Sequence, residues 1–140
     1  MIKFTINGTP KPLKRHRSTR SGRMYDPSSK DKQDIWLQIA KYRPKMPFKG
    51  NIYLKASFYM PRPQNHFKTK GGKTTDLVKD NYKSIKIHSY KPDLDNLLKM
   101  ICDIVQGKDR IILDDSQIFW LSAVKVYGKP RTEVVIEEVS

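Results

Sequence analysis

Two short acidic segments carry the residues best suited to chemistry: Lys91-Pro92-Asp93-Leu94-Asp95-Asn96-Leu97-Leu98-Lys99, and Leu113-Asp114-Asp115-Ser116-Gln117. Together they bring four carboxylates from two places in one small, otherwise basic chain. Hard cations such as Mg²⁺ prefer oxygen ligands and keep several waters. Held between carboxylates and a phosphate, such an ion lowers the pKa of a water and offsets charge on a leaving oxygen. Each segment alone has a plainer reading. Pro92 disfavours helix before it, so Asp93 and Asp95 stand at or just before a helix start. There Asp is a good N-cap and its charge suits the helix dipole. That accounts for one aspartate but not for two, because one residue occupies the cap. Asp114-Asp115 fits a simple turn. Lys99 follows Asp95 by one helical turn, on the same face. It is either a surface ion-pair partner or a cation that holds a phosphate and stabilises charge in a transition state. Asp103 extends that stripe by a further turn. Asn96 completes a polar shell or supports the helix start.

The charge around these segments points to a polyanionic partner. The chain of 140 residues has a formal net charge of +14. Residues 1–91 hold 22 Lys and Arg against 5 Asp, whereas residues 92–140 hold 6 against 9 Asp and Glu. Neutralising phosphates and releasing their counterions is the physical basis of such binding; basic charge that only aids solubility is the alternative. Lys11, Lys14, Arg15, Arg17, Arg20 and Arg23 crowd a loop interrupted by Pro and Gly. They suit phosphate contacts, which position DNA without reading its sequence. Lys68, Lys70 and Lys73, near Gly71-Gly72, offer a second, mobile arm. Tyr25, Phe67 and Tyr82 are candidates for stacking on unpaired bases or for ordinary packing.

The elements that must position these groups follow from periodicity. Ile2, Phe4 and Ile6 alternate with polar residues, which predicts a half-buried strand ending at Asn7-Gly8. Residues 9–27 read as a loop. Ser28 or Ser29 can cap a helix reaching about Tyr42, with Ile35, Trp36, Ile39 and Ala40 on its apolar side. A strand follows Gly50, with Ile52, Leu54, Ala56, Phe58 and Met60 on one face. Residues 61–92 form a long basic loop. A second helix spans about Leu94 to Gln106, burying Leu94, Leu97, Leu98, Ile101, Ile104 and Val105, and Gly107 stops it. Residues 118–127 and 132–138 read as an antiparallel hairpin around Gly128-Lys129-Pro130. The expected fold is α+β: one small domain over residues 1–140, with a mixed or antiparallel sheet of about four strands and two main helices. Trp36 and Trp120 are expected in the core, and His16, His66 and His88 on the surface.

Several classes are excluded or disfavoured. Cys102 is the only cysteine, so there is no intrachain disulfide and no Cys-rich zinc site. No stretch approaches a membrane span and the start lacks a signal-peptide pattern, which predicts a cytoplasmic protein. No Gly-rich phosphate loop appears, so no nucleotide cofactor is expected, and no Ser/His/Asp hydrolase signature stands out.

Lys91 to Lys99, then Cys102-Asp103-Ile104, Gly107 and Asp114-Asp115-Ser116-Gln117-Ile118, resemble the RusA family of Holliday-junction resolvases. Pro10 to Arg17 with Gly22 to Pro27 is similar to the family's basic N-terminal loop, and Pro61-Arg62-Pro63 with His66-Phe67 to its post-strand segment. The likeness runs in order along nearly the whole chain; residues 64–90 match only loosely. It implies that Asp93, Asp95 and Asp115 are the essential metal-binding acids and Lys99 the catalytic lysine, with Asp114 and Asp103 at family positions in support. It further implies a homodimer dependent on Mg²⁺ or Mn²⁺ that cuts four-way or branched DNA by paired incisions, of a kind common in prophages. A two-fold symmetric junction needs two matched cuts, which independently favours two chains. A non-catalytic module for branched or single-stranded DNA, and a basic surface for an acidic protein, are the competing classes. Strand scission with a divalent ion separates the first from both, and competition by unlabelled DNA separates the last.

Overall fold

The computed structural model describes residues 1–15 and 17–140; His16 and the side chain of Arg17, one of the basic-loop candidates, lie outside the described residues. Strand β1 (Ile2–Asn7) is followed by the short pair β2 (Arg17–Ser18) and β3 (Met24–Tyr25), then helix α1 (Ser29–Ile39). Strand β4 (Asn51–Met60), the hairpin β5 (Phe67–Lys70) and β6 (Lys73–Val78), helix α2 (Leu94–Val105), β7 (Ile118–Tyr127) and β8 (Arg131–Val139) complete the order. The main sheet is ordered β1-β8-β4-β7. β4 runs parallel to β7 and antiparallel to β8, and β1 runs antiparallel to β8. A parallel neighbour requires a crossover, and the segment carrying α2 supplies it. The result is the expected α+β fold with a mixed four-stranded sheet.

The period-two pattern of β4 decides its central place. Ile52, Leu54, Ala56, Phe58 and Met60 are all buried. Against them pack Ile35, Trp36 and Ile39 of α1, Leu97, Met100, Ile101, Ile104 and Val105 of α2, and Val134 and Ile136 of β8. Burying each large apolar side chain contributes roughly 1.5–3 kcal/mol. Leu94 and Leu98 prove only partly buried, and Met100 takes a core place the sequence reading did not assign.

The expected terminal hairpin does not form. β7 and β8 run in opposite directions, but β4 lies between them and pairs with both. A strand with a fully apolar inner face gains more from two neighbours than from an edge. Gly128 permits the crossing: its N–H donates to Met60 O at 3.0 Å, and a Cβ there would meet the Tyr59 ring at 2.9 Å. Trp120 is likewise not in the core. It is 61% exposed on the sheet face away from the helices, with its ring 4.9 Å from that of Tyr53.

Residues 61–92 are more ordered than their composition predicts. Gly71 and Gly72 both have positive φ, at 60° and 78°, the backbone of a mirror-image two-residue turn. The hairpin they close exposes Lys68, Lys70 and Lys73. Beneath it, His66 stacks on Tyr82 at 4.1 Å, and both His66 and His88 set ring edges against Tyr127 at 5.4 and 5.1 Å. His66 and His88 are therefore buried, at 8% and 9% exposure, rather than on the surface. Tyr82 is occupied by this cluster and Phe67 is half-buried, whereas Tyr25 is exposed. No helix among the described residues is long and apolar enough to cross a membrane.

Candidate active site

The structure sorts the aspartates by whether the fold already uses them. Asp114 is the N-cap of a 3-10 turn over Asp115–Gln117 and completes a capping box with Gln117. Its carboxyl, held below the usual range by hydrogen bonding from Ser116, accepts the Ser116 N–H at 3.0 Å. Gln117 accepts from the N–H groups of Leu113 and Asp114 and donates to the carbonyls of Phe48 and Gly50. This clamp fixes the acidic turn to the start of β4. The pattern Asp-x-x-Gln was the sequence signal for it. Asp103 is also engaged: it bridges Lys32 of α1 at 3.2 Å, and Lys32 in turn bridges Asp26 at 2.6 Å. Both residues hold elements together.

The remaining three behave differently. Asp93 occupies the N-cap position of α2 but makes no side-chain cap bond. Its one ion-pair partner among the described residues is Lys91 at 2.8 Å, and that lysine's side chain is 86% exposed. Hydrogen bonding and charge from Lys91, with a smaller share from Lys125, hold the Asp93 carboxyl below its ordinary pKa. Asp95 and Lys99 do not form the helical ion pair that their spacing allows: among the described residues neither side chain has a hydrogen bond or an ion pair. The side chain of Asp115 is equally free of such partners, while its N–H donates to Gln106 Oε1 at 3.0 Å.

Asp93, Asp95, Asn96 and Lys99 line one cavity of about 340 Å³, shared with Leu13, Lys14 and Arg15 of the basic loop. Hydrogen bonds from two consecutive backbone N–H groups place that loop. Leu13 N–H donates to Asn96 O at 3.1 Å and Lys14 N–H to Ser28 Oγ at 2.8 Å. Ser28 is fully buried and makes no cap bond to α1, so its hydroxyl serves the loop instead of the helix. A larger surface cavity of about 780 Å³ lies between β1, β8 and α1; its one carboxylate is Glu133. The convergence of acids and cations is in the smaller one.

Asp115 does not line the 340 Å³ cavity. Asp95, Lys99 and Cys102 form one stripe of α2, and Asp115 lies beside its far end, where its charge acts on Cys102. Seven residues of helix advance about 10 Å. Among the described residues no three or more His, Cys, Asp or Glu side chains stand close enough to share a metal ion. The donor chemistry still fits a hard cation. These are carboxylates without cap bonds, and Mg²⁺ commonly takes only one or two protein carboxylates, with water and phosphate completing its shell.

Burial first, then the charges of Asp115 and Asp103, push the Cys102 thiol up to about 11. It therefore stays protonated at pH 8. Iodoacetamide is expected to label the native protein on the order of 100-fold more slowly than an ordinary cysteine. Asp115→Asn removes one of these negative charges, lowers the thiol pKa and so speeds labelling. An unchanged rate would place Asp115 away from α2.

Of the other basic candidates, Lys11 is paired with Asp31 at 3.0 Å and Lys68 lies 3.9 Å from Asp80. Arg20 and Arg23 are exposed around the β2–β3 turn. Sequence reasoning missed Gln106 and Lys125, and named Ser28 and Gln117 without their roles; each hydrogen-bonds backbone that borders the site.

The sequence pattern of the endodeoxyribonuclease RusA family matches residues 7–137. The chain belongs to the RusA family. It is also 34% identical over 119 residues to the crossover junction endodeoxyribonuclease rusA of Lactococcus phage r1t, covering 82% of this chain and 77% of that protein. The RusA match spans both acidic segments, the basic loop and strands β4, β7 and most of β8 of the main sheet.

Proposed function

We propose that this RusA-family chain is a structure-selective endodeoxyribonuclease that resolves Holliday junctions and related branched DNA by paired, Mg²⁺- or Mn²⁺-dependent phosphodiester hydrolysis. The observation that carries this reading is the cavity at the start of α2. There, two carboxylates without cap bonds face Lys99, Lys14 and Arg15. Acids concentrated in a basic surface are poorly explained as DNA-binding groups, since they repel phosphate, and well explained as ligands for a cation. Asp93 and Asp95 would hold the metal, which when bound would supply a water of lowered pKa and charge neutralisation; Asp115, beside the far end of the same α2 stripe, stands outside sharing distance of this pair. Lys99 donates to the scissile phosphate as negative charge develops. Lys14 and Arg15 hold the flanking backbone. Lys70 and Lys73, exposed on the β5–β6 hairpin, would contact a more distant phosphate.

Two matched incisions need two copies of the site. Strand β7 is an edge whose Phe119, Trp120 and Leu121 are 58%, 61% and 45% exposed, apolar side chains on both faces of the edge that would flank a second copy added along it.

The deciding experiment incubates the protein with a synthetic four-way junction and with a linear duplex of the same sequence, with and without Mg²⁺. The expected products are symmetric nicks in the junction alone, only when the ion is present. Salt-sensitive junction binding without scission under any divalent ion would instead identify a non-catalytic DNA-binding module.

A further inference from the structure

We propose that Lys125 is the positioning residue for Asp93, tying down from behind the turn that carries this acid. The inference rests on the metal-dependent reading of the site. Lys125 stands on β7 in register with Phe58 of β4, so its side chain leaves the sheet on the face the helices cover. Its ammonium donates to Tyr90 O at 2.5 Å and to Pro92 O at 2.6 Å. The second carbonyl belongs to the residue directly before Asp93. Lys125 also accepts the His88 N–H at its own carbonyl, at 3.2 Å. One strand residue thus grips the 88–92 segment through both main chain and side chain.

Beyond the packing of the His88 ring on Tyr127 and Tyr90, little else fixes the end of that segment next to Asp93. Among the described residues, no backbone–backbone hydrogen bond involves Ser89, Tyr90, Lys91 or Pro92. Asp93 makes no cap bond to α2, and its pair with the exposed Lys91 constrains it weakly, as exposed pairs do. A half-buried ammonium costs desolvation unless its donors are met. Methionine or leucine would fill the same space without that cost, so packing alone does not explain a lysine here. Two carbonyls satisfied at once, beside an acid of the site, do explain it. Partners that orient metal ligands in this way typically change metal affinity 10–100-fold when removed.

The test compares the full chain with Lys125→Met, Lys125→Arg and Asp93→Asn, reading Mn²⁺ binding by electron paramagnetic resonance and junction binding in EDTA by gel shift. Lys125→Met is expected to weaken Mn²⁺ binding 10–100-fold and to leave metal-free junction binding unchanged. Arginine, which keeps donors for both carbonyls, restores most of the affinity. In the Asp93→Asn background, Lys125→Met adds no further loss, because both act through one ligand. If the methionine variant lacks a cooperative thermal transition, Lys125→Gln takes its place in the same cycle. Wild-type Mn²⁺ affinity in Lys125→Met, or losses that add in the double variant, overturns the assignment while leaving the nuclease reading intact. A wild-type chain that binds no Mn²⁺, and whose Asp95→Asn form cuts junctions normally, overturns both.

Discussion

Asp95→Asn is expected to abolish junction cleavage, by about 10³-fold or more, while junction binding in the absence of metal is kept or strengthened. The magnitude follows from the role. Removing a group that merely orients a ligand costs 10–100-fold, and removing a ligand of the ion that activates water costs more, because the water then returns toward its bulk pKa. The binding prediction follows from charge. Asp95 has no ion-pair partner among the described residues, so no contact cation shields its negative charge from a phosphate in the same cavity. Asparagine keeps the volume and removes the repulsion. The fold should tolerate the change, because Asp95 is exposed in the first turn of α2. There the helix dipole stabilises a carboxylate by only about 0.3–1 kcal/mol. Single-turnover cleavage and gel shift on the same junction separate the two effects. A variant that cuts at the wild-type rate would sink the metal assignment, and one that loses binding and cutting in parallel would make Asp95 a structural residue.

Helix α2 was readable from sequence because three independent signals agree there. Pro92 blocks helix before it, the apolar stripe has helical period, and Gly107 ends it, with a φ of 143° that favours glycine. Strand β4 was readable for the same reason, since its strict alternation is recorded locally. Strand order was not. Gly128-Lys129-Pro130 records that the chain turns, but the partner of each strand is chosen by β4, about seventy residues away. Aromatic identity misled at Trp120, because a residue's type does not reveal which sheet face the helices will cover. His66 and His88 sit in polar sequence and are buried by Tyr127, which approaches from a remote strand. Of the site, the residue types were legible and their division of labour was not. Nothing local distinguishes Asp114, which caps, from Asp115, whose side chain has no hydrogen bond or ion pair among the described residues, until Gln117 is seen to close the box. Lys125 offered no pattern at all, since its partners are backbone carbonyls.

Lys99→Met should lower single-turnover cleavage at saturating protein by about 10²–10³-fold, the usual cost of losing one donor aimed at developing charge. Its spacing from Asp95 suggested an ordinary helix-surface ion pair, and the structure removes that explanation: the pair is not formed, and Lys99 instead lines the cavity with Asp93 and Asp95. Two roles remain, and they predict different measurements. A lysine that only anchors phosphate contributes equally to ground and transition states. Its loss weakens binding, lowers the salt dependence of log Kobs by about 0.9, and leaves the saturated rate unchanged. A lysine whose bond to phosphate strengthens as charge develops lowers the saturated rate itself. Lys99→Arg sharpens the distinction. Arginine keeps the charge and should preserve the salt slope, but its planar fork cannot reproduce the compact ammonium, so the rate should fall nearly as far as with methionine. A full rate with a reduced slope in Lys99→Met would assign the residue to DNA binding and leave the stabilising cation to Lys14 or Arg15, which share the cavity.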